Sequence, residues 1–368
     1  MEDMVNMKLF NNIYKDKRVL VTGHTGFKGS WLSLWLKLLG AKVTGYALSA
    51  PTEPSHFELL GLDINHVEGD ILDEDKLEAV FRKVKPEIVF HLAAQPLVRE
   101  SYNNPVLTYK TNIIGTLNVF EACRKTPSVK AIINVTSDKC YSNKEIIWGY
   151  RETDEMGGYD PYSSSKGCAE LLTSSYRNSF FNNKNGNTNV LLASARAGNV
   201  IGGGDWAKDR LIPDIMKAVS QNCVVQIRNP KATRPWQHVL EPLSGYLLLG
   251  AELYKNGDNK AEAWNFGPDY SDTITVEDLL VKTKNYWSDL QYTINRDENQ
   301  PHEANSLFLD CSKAKTYLEW KPVWNCDQAL KTTVEWYKNY YEEQKISSID
   351  DIIKYVNTAI NKGLSWTK

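Results

Sequence analysis

The strongest constraint in this sequence is a glycine array. Gly23, Gly26 and Gly29 stand between a short apolar run, Arg18 to Thr22, and an amphipathic stretch carrying Trp31, Leu32, Trp35, Leu38 and Leu39. In a strand–turn–helix unit, the first glycine allows the tight turn, the second lets a pyrophosphate approach the backbone, and the third lets helix and strand pack closely. The start of the helix then offers unpaired N–H donors and a favourable dipole to phosphate. Gly40 is placed to end the helix. A dinucleotide site at the amino end of the chain is the expectation.

The pattern continues as alternating strands and helices. Strand-like runs fall at Lys42 to Leu48, Glu87 to Leu92, Lys130 to Ser137 and Thr188 to Arg196, with helical segments at Asp75 to Lys85 and Val106 to Arg124. That alternation predicts parallel βαβ units and an α/β, doubly wound Rossmann sheet. After about Ala197 the character changes, with Gly202, Gly203 and Gly204 in succession and aromatics and prolines more frequent. The expected division is a dinucleotide-binding domain over 1–197, with a returning segment near 236–268, and a smaller, interleaved substrate-binding domain over most of 198–368.

Cofactor choice is read from the end of the second strand, where an acidic residue suits the ribose of NAD and an arginine the 2′-phosphate of NADP. Here the strand ends in Leu48-Ser49-Ala50, and no arginine lies between Ser30 and Phe81, which favours NAD. Asp70, in Gly69-Asp70-Ile71, has two readings: a contact to the adenine end of the cofactor, or a cap on the turn before Leu72.

Tyr162 and Lys166 are spaced i, i+4, which puts phenol and ammonium on one face of a helix. A neighbouring ammonium lowers a phenol from its ordinary pKa of about 10, as a base for alcohol-to-ketone oxidation requires. Ser137 closes the apolar strand Ala131 to Thr136, at the strand end where open α/β sheets bind ligands, and Asp138 and Lys139 follow it directly.

These residues resemble the extended short-chain dehydrogenase/reductase family, from about Tyr14 to Tyr340. The strings TGHTGFKGSWL (22–32), HLAAQPLVRESY (91–102), TSDKCY (136–141), DPYSSSKGCAE (160–170), RAGNVIGGGDWAKDRLIP (196–213) and RPWQHV (234–239) are similar to its CDP-glucose-dehydrating branch. The resemblance implies Ser137, Tyr162 and Lys166 as the hydride-transfer set and Asp138 as the acid for a departing hydroxyl. It implies NAD contacts from Gly23, Thr25, Gly26, Phe27, Lys28 and Gly29, from Asp70 and Ile71, from Ala93 and Gln95, and from Tyr162 and Lys166. For the nucleotide-sugar substrate it implies Ser137, Asn199, Arg210 and Arg234, with His302 near the nucleoside. The dTDP-glucose and GDP-mannose members carry Asp-Glu where this chain has Asp138-Lys139, and there the glutamate removes the C5 proton. Lys139 serves as that base only if burial or a neighbouring cation depresses its pKa. The implied reaction is a 4,6-dehydration, a hydro-lyase cycle of C4 oxidation, loss of water across C5 and C6, and hydride return to C6. A 4-epimerase uses the same fold and Tyr-Lys pair without an acid at C6, and a non-catalytic cofactor-binding protein needs none of these groups.

Composition excludes other classes. With 43 basic and 45 acidic side chains the net charge is -2, which gives no footprint for nucleic acid or an acidic membrane surface. Six scattered cysteines form no C-x-x-C pair, so no metal site is expected and free thiols in the cytoplasm are. No signal peptide or membrane span is expected either. The family resemblance also implies a homo-dimer or homo-tetramer paired through Val106 to Arg124 and Ser164 to Asn178.

Overall fold

The computed structural model describes residues 8–181, 190–208, 210–227, 229–255, 257–294 and 307–368. Seven strands form one parallel sheet: β1 (Arg18–Thr22), β2 (Lys42–Ala47), β3 (Asn65–Glu68), β4 (Ile88–His91), β5 (Ala131–Val135), β6 (Leu191–Ala197) and β7 (Ala263–Phe266). Their order is β7-β6-β5-β4-β1-β2-β3, so the winding reverses between β1 and β4 and opens a crevice at the carboxyl ends of those two strands. The expected doubly wound sheet is therefore present, and the segment near Ala263 does return to it, beside β6.

Both faces of the central strands are covered, which is why they read as continuous apolar runs. Val19, Val21, Ile88, Phe90, Ile133 and Ala193 pack on one face, and Leu20, Val89, Ile132 and Leu192 on the other. The first face is covered by α1 (Phe27–Leu38), and the second by α2 (Glu74–Val84) and α3 (Thr116–Arg124). Next in the chain come α4 (Pro161–Ser179), α5 (Leu211–Ser220), α6 (Leu240–Tyr254), α7 (Val276–Tyr286), α8 (Cys326–Glu343) and α9 (Ser348–Asn361). The segment expected as one helix over Val106 to Arg124 is not uniform. It begins at Pro105, passes through a π-helical turn at Lys110–Gly115, and continues as α3. The wide turn directs the Asn112 side chain at the backbone of Gln95, across the loop after β4.

Beyond β6 the strands are short pairs. Val200–Ile201 lies parallel to Gln237–His238, Thr233–Pro235 antiparallel to Thr273–Thr275, and Val225–Ile227 parallel to Tyr292–Ile294. The carboxyl-terminal segment folds back on the first half of the chain, with Trp366 stacked on Phe10 at 5.1 Å and edge-on to Trp35 at 6.1 Å. All six cysteines are free, and among the described residues no helix is long and apolar enough to cross a membrane.

At the turn after β1, Gly23 has φ +75°, and a Cβ there would lie 2.7 Å from the Ala93 nitrogen. A Cβ on Gly29 would lie 2.1 Å from the Gly23 carbonyl oxygen, whereas one on Gly26 would meet that oxygen at only 3.4 Å. Gly29→Ala should therefore push α1 off β1 and cost about 1–3 kcal/mol in urea unfolding. Gly26→Ala, measured alongside, should be close to neutral in stability.

Candidate active site

The first half of the site is a phosphate cradle. Gly26 caps α1 with an extended backbone and no side-chain cap, so the first-turn N–H groups face the crevice without a protein acceptor from that position. The Thr25 hydroxyl donates to the Leu48 carbonyl at 3.0 Å and ties the turn to the end of β2. Phe27 and Lys28 are both half-buried, Phe27 against the core, and burial and the Arg210 cation pull the Lys28 ammonium down to about 8. A glycine turn, an uncapped helix start and a basic side chain form a donor set that fits a dinucleotide pyrophosphate.

The walls of the cradle are fixed by hydrogen bonds. Thr22 Oγ1 lies 2.7 Å from His91 Nδ1 and accepts from the Ala93 nitrogen at 3.2 Å, which joins the ends of β1 and β4. Gln95 spends its side chain locally: its amide donates to Thr108 Oγ1 at 2.9 Å and its carbonyl accepts from the Leu97 nitrogen at 2.6 Å. It shapes the loop wall. Asp70 Oδ1 accepts from the Leu72 nitrogen at 2.9 Å, which caps the turn, and Ile71 is buried beside it.

The second half comes from β5 and α4. Ser137 begins a 3-10 turn over Asp138–Cys140; its hydroxyl donates to Asp138 Oδ1 at 2.9 Å and accepts from the Lys139 nitrogen at 3.2 Å. Asp160 caps α4 by accepting from the Ser163 nitrogen at 2.9 Å and the Ser163 hydroxyl at 2.6 Å, which sets the first turn that carries Tyr162. Tyr162 and Lys166 are both buried, with the ammonium 6.0 Å from the centre of the phenol ring, and the Ser137 hydroxyl lies near enough to Tyr162 to lower its pKa.

Burial dominates the electrostatics here. It pushes the Tyr162 phenol up to about 12, and the nearby Ser137 hydroxyl only partly opposes it. The expectation that Lys166 draws this phenol below its ordinary value is not met in the structure: burial raises it, and the cation that opposes burial is Arg210 rather than Lys166. The same burial pulls Lys166 down to about 8. Asp138 is held above the usual carboxylate range by burial, against the opposing pull of Lys139, Ser137 and Lys28. A buried carboxyl held up in this way is suited to donate a proton.

The expected substrate residues are spread along the far wall. A Cβ on Gly198 would lie 3.0 Å from Asp138 Oδ2 and 4.0 Å from Pro235 Cγ, so the segments carrying Asn199 and Arg234 converge on the acid. Asn199 is exposed. Arg234 is half-buried and donates to the Thr233 carbonyl at 2.9 Å. Arg210 is paired at 2.7 Å with Asp205 and lies close enough to Tyr162 to feel its charge. His302 lies outside the described residues. Two residues of the site are not among those singled out from the sequence. Asp205 holds Arg210 while its backbone is bonded to Tyr337, and Asn112 donates to Ser165 Oγ at 2.8 Å, joining the π-helical turn to α4. Asp205 directly follows the run Gly202-Gly204, the one hint in the sequence.

A doubly wound sheet with a dinucleotide cradle at its switch point and a serine–tyrosine–lysine set beside it defines a short-chain dehydrogenase/reductase of the extended type. More narrowly, the chain belongs to the GDP-mannose 4,6 dehydratase family, whose profile matches residues 20–333. It is 54% identical over 352 residues to the CDP-glucose 4,6-dehydratase of Salmonella typhimurium, covering 94% of this chain and 98% of that one. Among solved structures it is similar to an epimerase from Methanothermobacter thermautotrophicus (TM-score 0.78, 24% identity, 92% of this chain and 96% of that one). It is also similar to the UDP-glucose 4-epimerase of Brucella ovis in complex with NAD (TM-score 0.72, 22% identity, 86% and 96%). At those identities the two structures establish the fold alone.

The buried acid gives a stability test. At low pH Asp138 is protonated in both the folded and unfolded chain, and as the pH rises through its raised folded value it must ionise at a cost to the fold. Asp138→Asn removes that cost. Thermal unfolding should find parent and variant alike near roughly pH 3, below the ordinary carboxyl range, and the variant more stable at pH 8.

Proposed function

We propose that this protein is a CDP-glucose 4,6-dehydratase, a hydro-lyase that converts CDP-glucose to CDP-4-keto-6-deoxyglucose and water for deoxysugar synthesis. The observation that carries the reading is the Asp138-Lys139 pair next to Ser137 and Tyr162, in a chain 54% identical to a CDP-glucose 4,6-dehydratase over nearly its whole length. An acid beside the hydride-transfer set has a use in dehydration and none in 4-epimerisation.

NAD is the cofactor of this reading; held at the glycine turn, it supplies the hydride acceptor at C4 and the donor at C6. The absence of arginine near the end of β2 supports NAD over NADP, and the Brucella ovis epimerase of this fold holds NAD. Lys166 orients the nicotinamide ribose. Tyr162 takes the C4 hydroxyl proton, with Ser137 holding the sugar oxygen. Burial by itself holds Tyr162 up at about 12 and Lys166 down at about 8, so the phenolate is reached only as the sugar hydroxyl proton is transferred in the closed site. The resulting 4-keto group acidifies C5. Lys139 removes the C5 proton, Asp138 protonates the C6 hydroxyl as it leaves, and as hydride returns to C6 the lysine, in exchange with solvent, gives a proton back to C5. Asn199, Arg210 and Arg234 hold the diphosphate, for which guanidinium forks are suited. In this division 1–197 with the segment near 236–268 carries the cofactor, and most of 198–368 grips the nucleotide sugar. Free thiols support a cytoplasmic enzyme.

The assembly is a homo-dimer or homo-tetramer paired through the helices at Pro105–Arg124 and α4. Val106, Leu107, Ile114, Leu171 and Phe180 are exposed large apolar side chains on or next to these two helices, the kind of surface that marks a protein contact. Sedimentation should find a dimer or larger species, and Leu171→Glu should shift it toward monomer; a strictly monomeric parent would count against the pairing.

The substrate reading is tested by a panel of nucleoside-diphosphate glucoses assayed for keto sugar. CDP-glucose should give the 4-keto-6-deoxy product and no CDP-galactose. Run in deuterated water, the parent should place deuterium at C5. Lys139→Ala should lose that label while C4 oxidation persists; label retained at the parental rate would remove Lys139 as the base.

A further inference from the structure

Beneath the catalytic set lies a buried ion pair that the chemistry above does not use. Glu170, one turn beyond Lys166 on α4, meets Arg196 of β6 at 2.7 Å, and both side chains are almost wholly buried. The carboxylate also accepts from Ser194 Oγ at 2.8 Å and from the Thr136 hydroxyl. The guanidinium donates to the Tyr141 hydroxyl at 2.7 Å and to the Glu152 carbonyl at 3.2 Å, and Tyr141 in turn donates to Asn265 of β7 at 2.8 Å. Thr136 and Tyr141 stand immediately before and after the Ser137–Cys140 turn. One ion pair therefore grips both ends of the loop carrying Ser137, Asp138 and Lys139, and the helix carrying Tyr162 and Lys166.

Stability is a poor reason to keep such a pair. The desolvation of two buried ions offsets most of their attraction, and apolar replacements of similar volume are often neutral or stabilising. Its partners point to geometry instead. We infer that Glu170 and Arg196 are positioning residues for the dehydration, locking the Ser137-Asp138-Lys139 loop against the Tyr162–Lys166 face of α4 and keeping Lys166 cationic. The inference rests on the dehydratase reading for its chemistry. Its electrostatic part rests on what surrounds the lysine. Lys166 faces Tyr162 and Glu170 on its own helix, Cys140 in the loop, Lys28 on α1 and His91 at the end of β4. Burial holds the Cys140 thiol and the His91 ring neutral, while Arg196 keeps the Glu170 carboxyl below its ordinary value. Glu170 is thus the anion among them at neutral pH, and it opposes the downward pull of burial on Lys166.

The test compares Glu170→Met/Arg196→Met, Glu170→Gln and Glu170→Asp with the parent. Two readouts are used: turnover of CDP-glucose, and the 15N resonance of the Lys166 ammonium titrated in lysine-labelled protein, assigned with Lys166→Arg. The double variant should fold with a melting temperature close to the parent's and turn over roughly 100-fold more slowly, the scale of loss for a catalytic group misplaced by about an ångström. In the double variant and in Glu170→Gln, Lys166 should titrate at lower pH than in the parent, and Glu170→Asp should recover part of both effects. A folded double variant with parental turnover and parental Lys166 titration would make the pair a structural element only. Should the double variant fail to fold, Glu170→Gln and Glu170→Asp decide by the same two readouts. A parent that makes no keto sugar from any nucleoside-diphosphate glucose overturns the dehydratase reading, and the Lys166 titration, which needs no substrate, still decides on Glu170.

Discussion

Close packing of α1 on β1 is the contact on which the rest of the structure depends. Gly29 brings the helix within reach of the Gly23 carbonyl, and Gly23 brings the turn against Ala93 at the end of β4. With those two approaches made, the start of α1 opens into the crevice between β1 and β4, and Lys28 is carried into the same buried volume as Asp138 and Lys166. The glycine turn and the Ser137–Tyr162–Lys166 cluster are thereby held close together, although β1 and β5 lie far apart in the sequence.

Burial is the force that tunes this cleft. Lys28 and Lys166 are pulled down, and Asp138 and Tyr162 are pushed up, so each of the four is moved toward its neutral form. A site with these shifts presents donors and acceptors to an anionic nucleotide sugar without a surplus of fixed charge, and it places proton transfers within reach of neutral pH. Glu170 and Arg196 are the exception: they stay charged at depth because each has the other, with further hydrogen bonds to Ser194 and Thr136 on the carboxylate and to Tyr141 on the guanidinium.

The carboxyl-terminal region is held by the same economy of buried polar groups. Glu241, at the start of α6, accepts from the backbone nitrogens of Val323 and Trp324 at 2.8 and 2.7 Å and from the Tyr355 hydroxyl at 2.9 Å, and burial raises its carboxyl to about 7. Through His56, which lies 2.8 Å from both Ser30 and Ser348, the cofactor helix is joined to α9. The last residues of the chain are thus part of the support of the first helix.

The sequence by itself determined the parallel sheet, the glycine turn, and the pairing of Tyr162 with Lys166 on one helix face. Each is set by local periodicity or by a short spacing that the backbone must obey. It also marked Ser137 and Asp138, because a strand end in this fold is a ligand site. What only the tertiary structure decided are properties that depend on distant neighbours. The phenol of Tyr162 lies above its ordinary pKa because desolvation outweighs the Ser137 hydroxyl and the Arg210 cation, and no spacing reports how deeply a helix is buried. The π-helical turn that aims Asn112 at Gln95 and the pairing of Asp205 with Arg210 are set by irregular backbone between the regular elements, and the grip of Glu170 and Arg196 on the catalytic loop joins a helix, a strand and a loop that the winding of the sheet brings together. Their partners lie 5 to 55 positions apart in the chain, and outside a fixed local motif that separation carries no signal of contact.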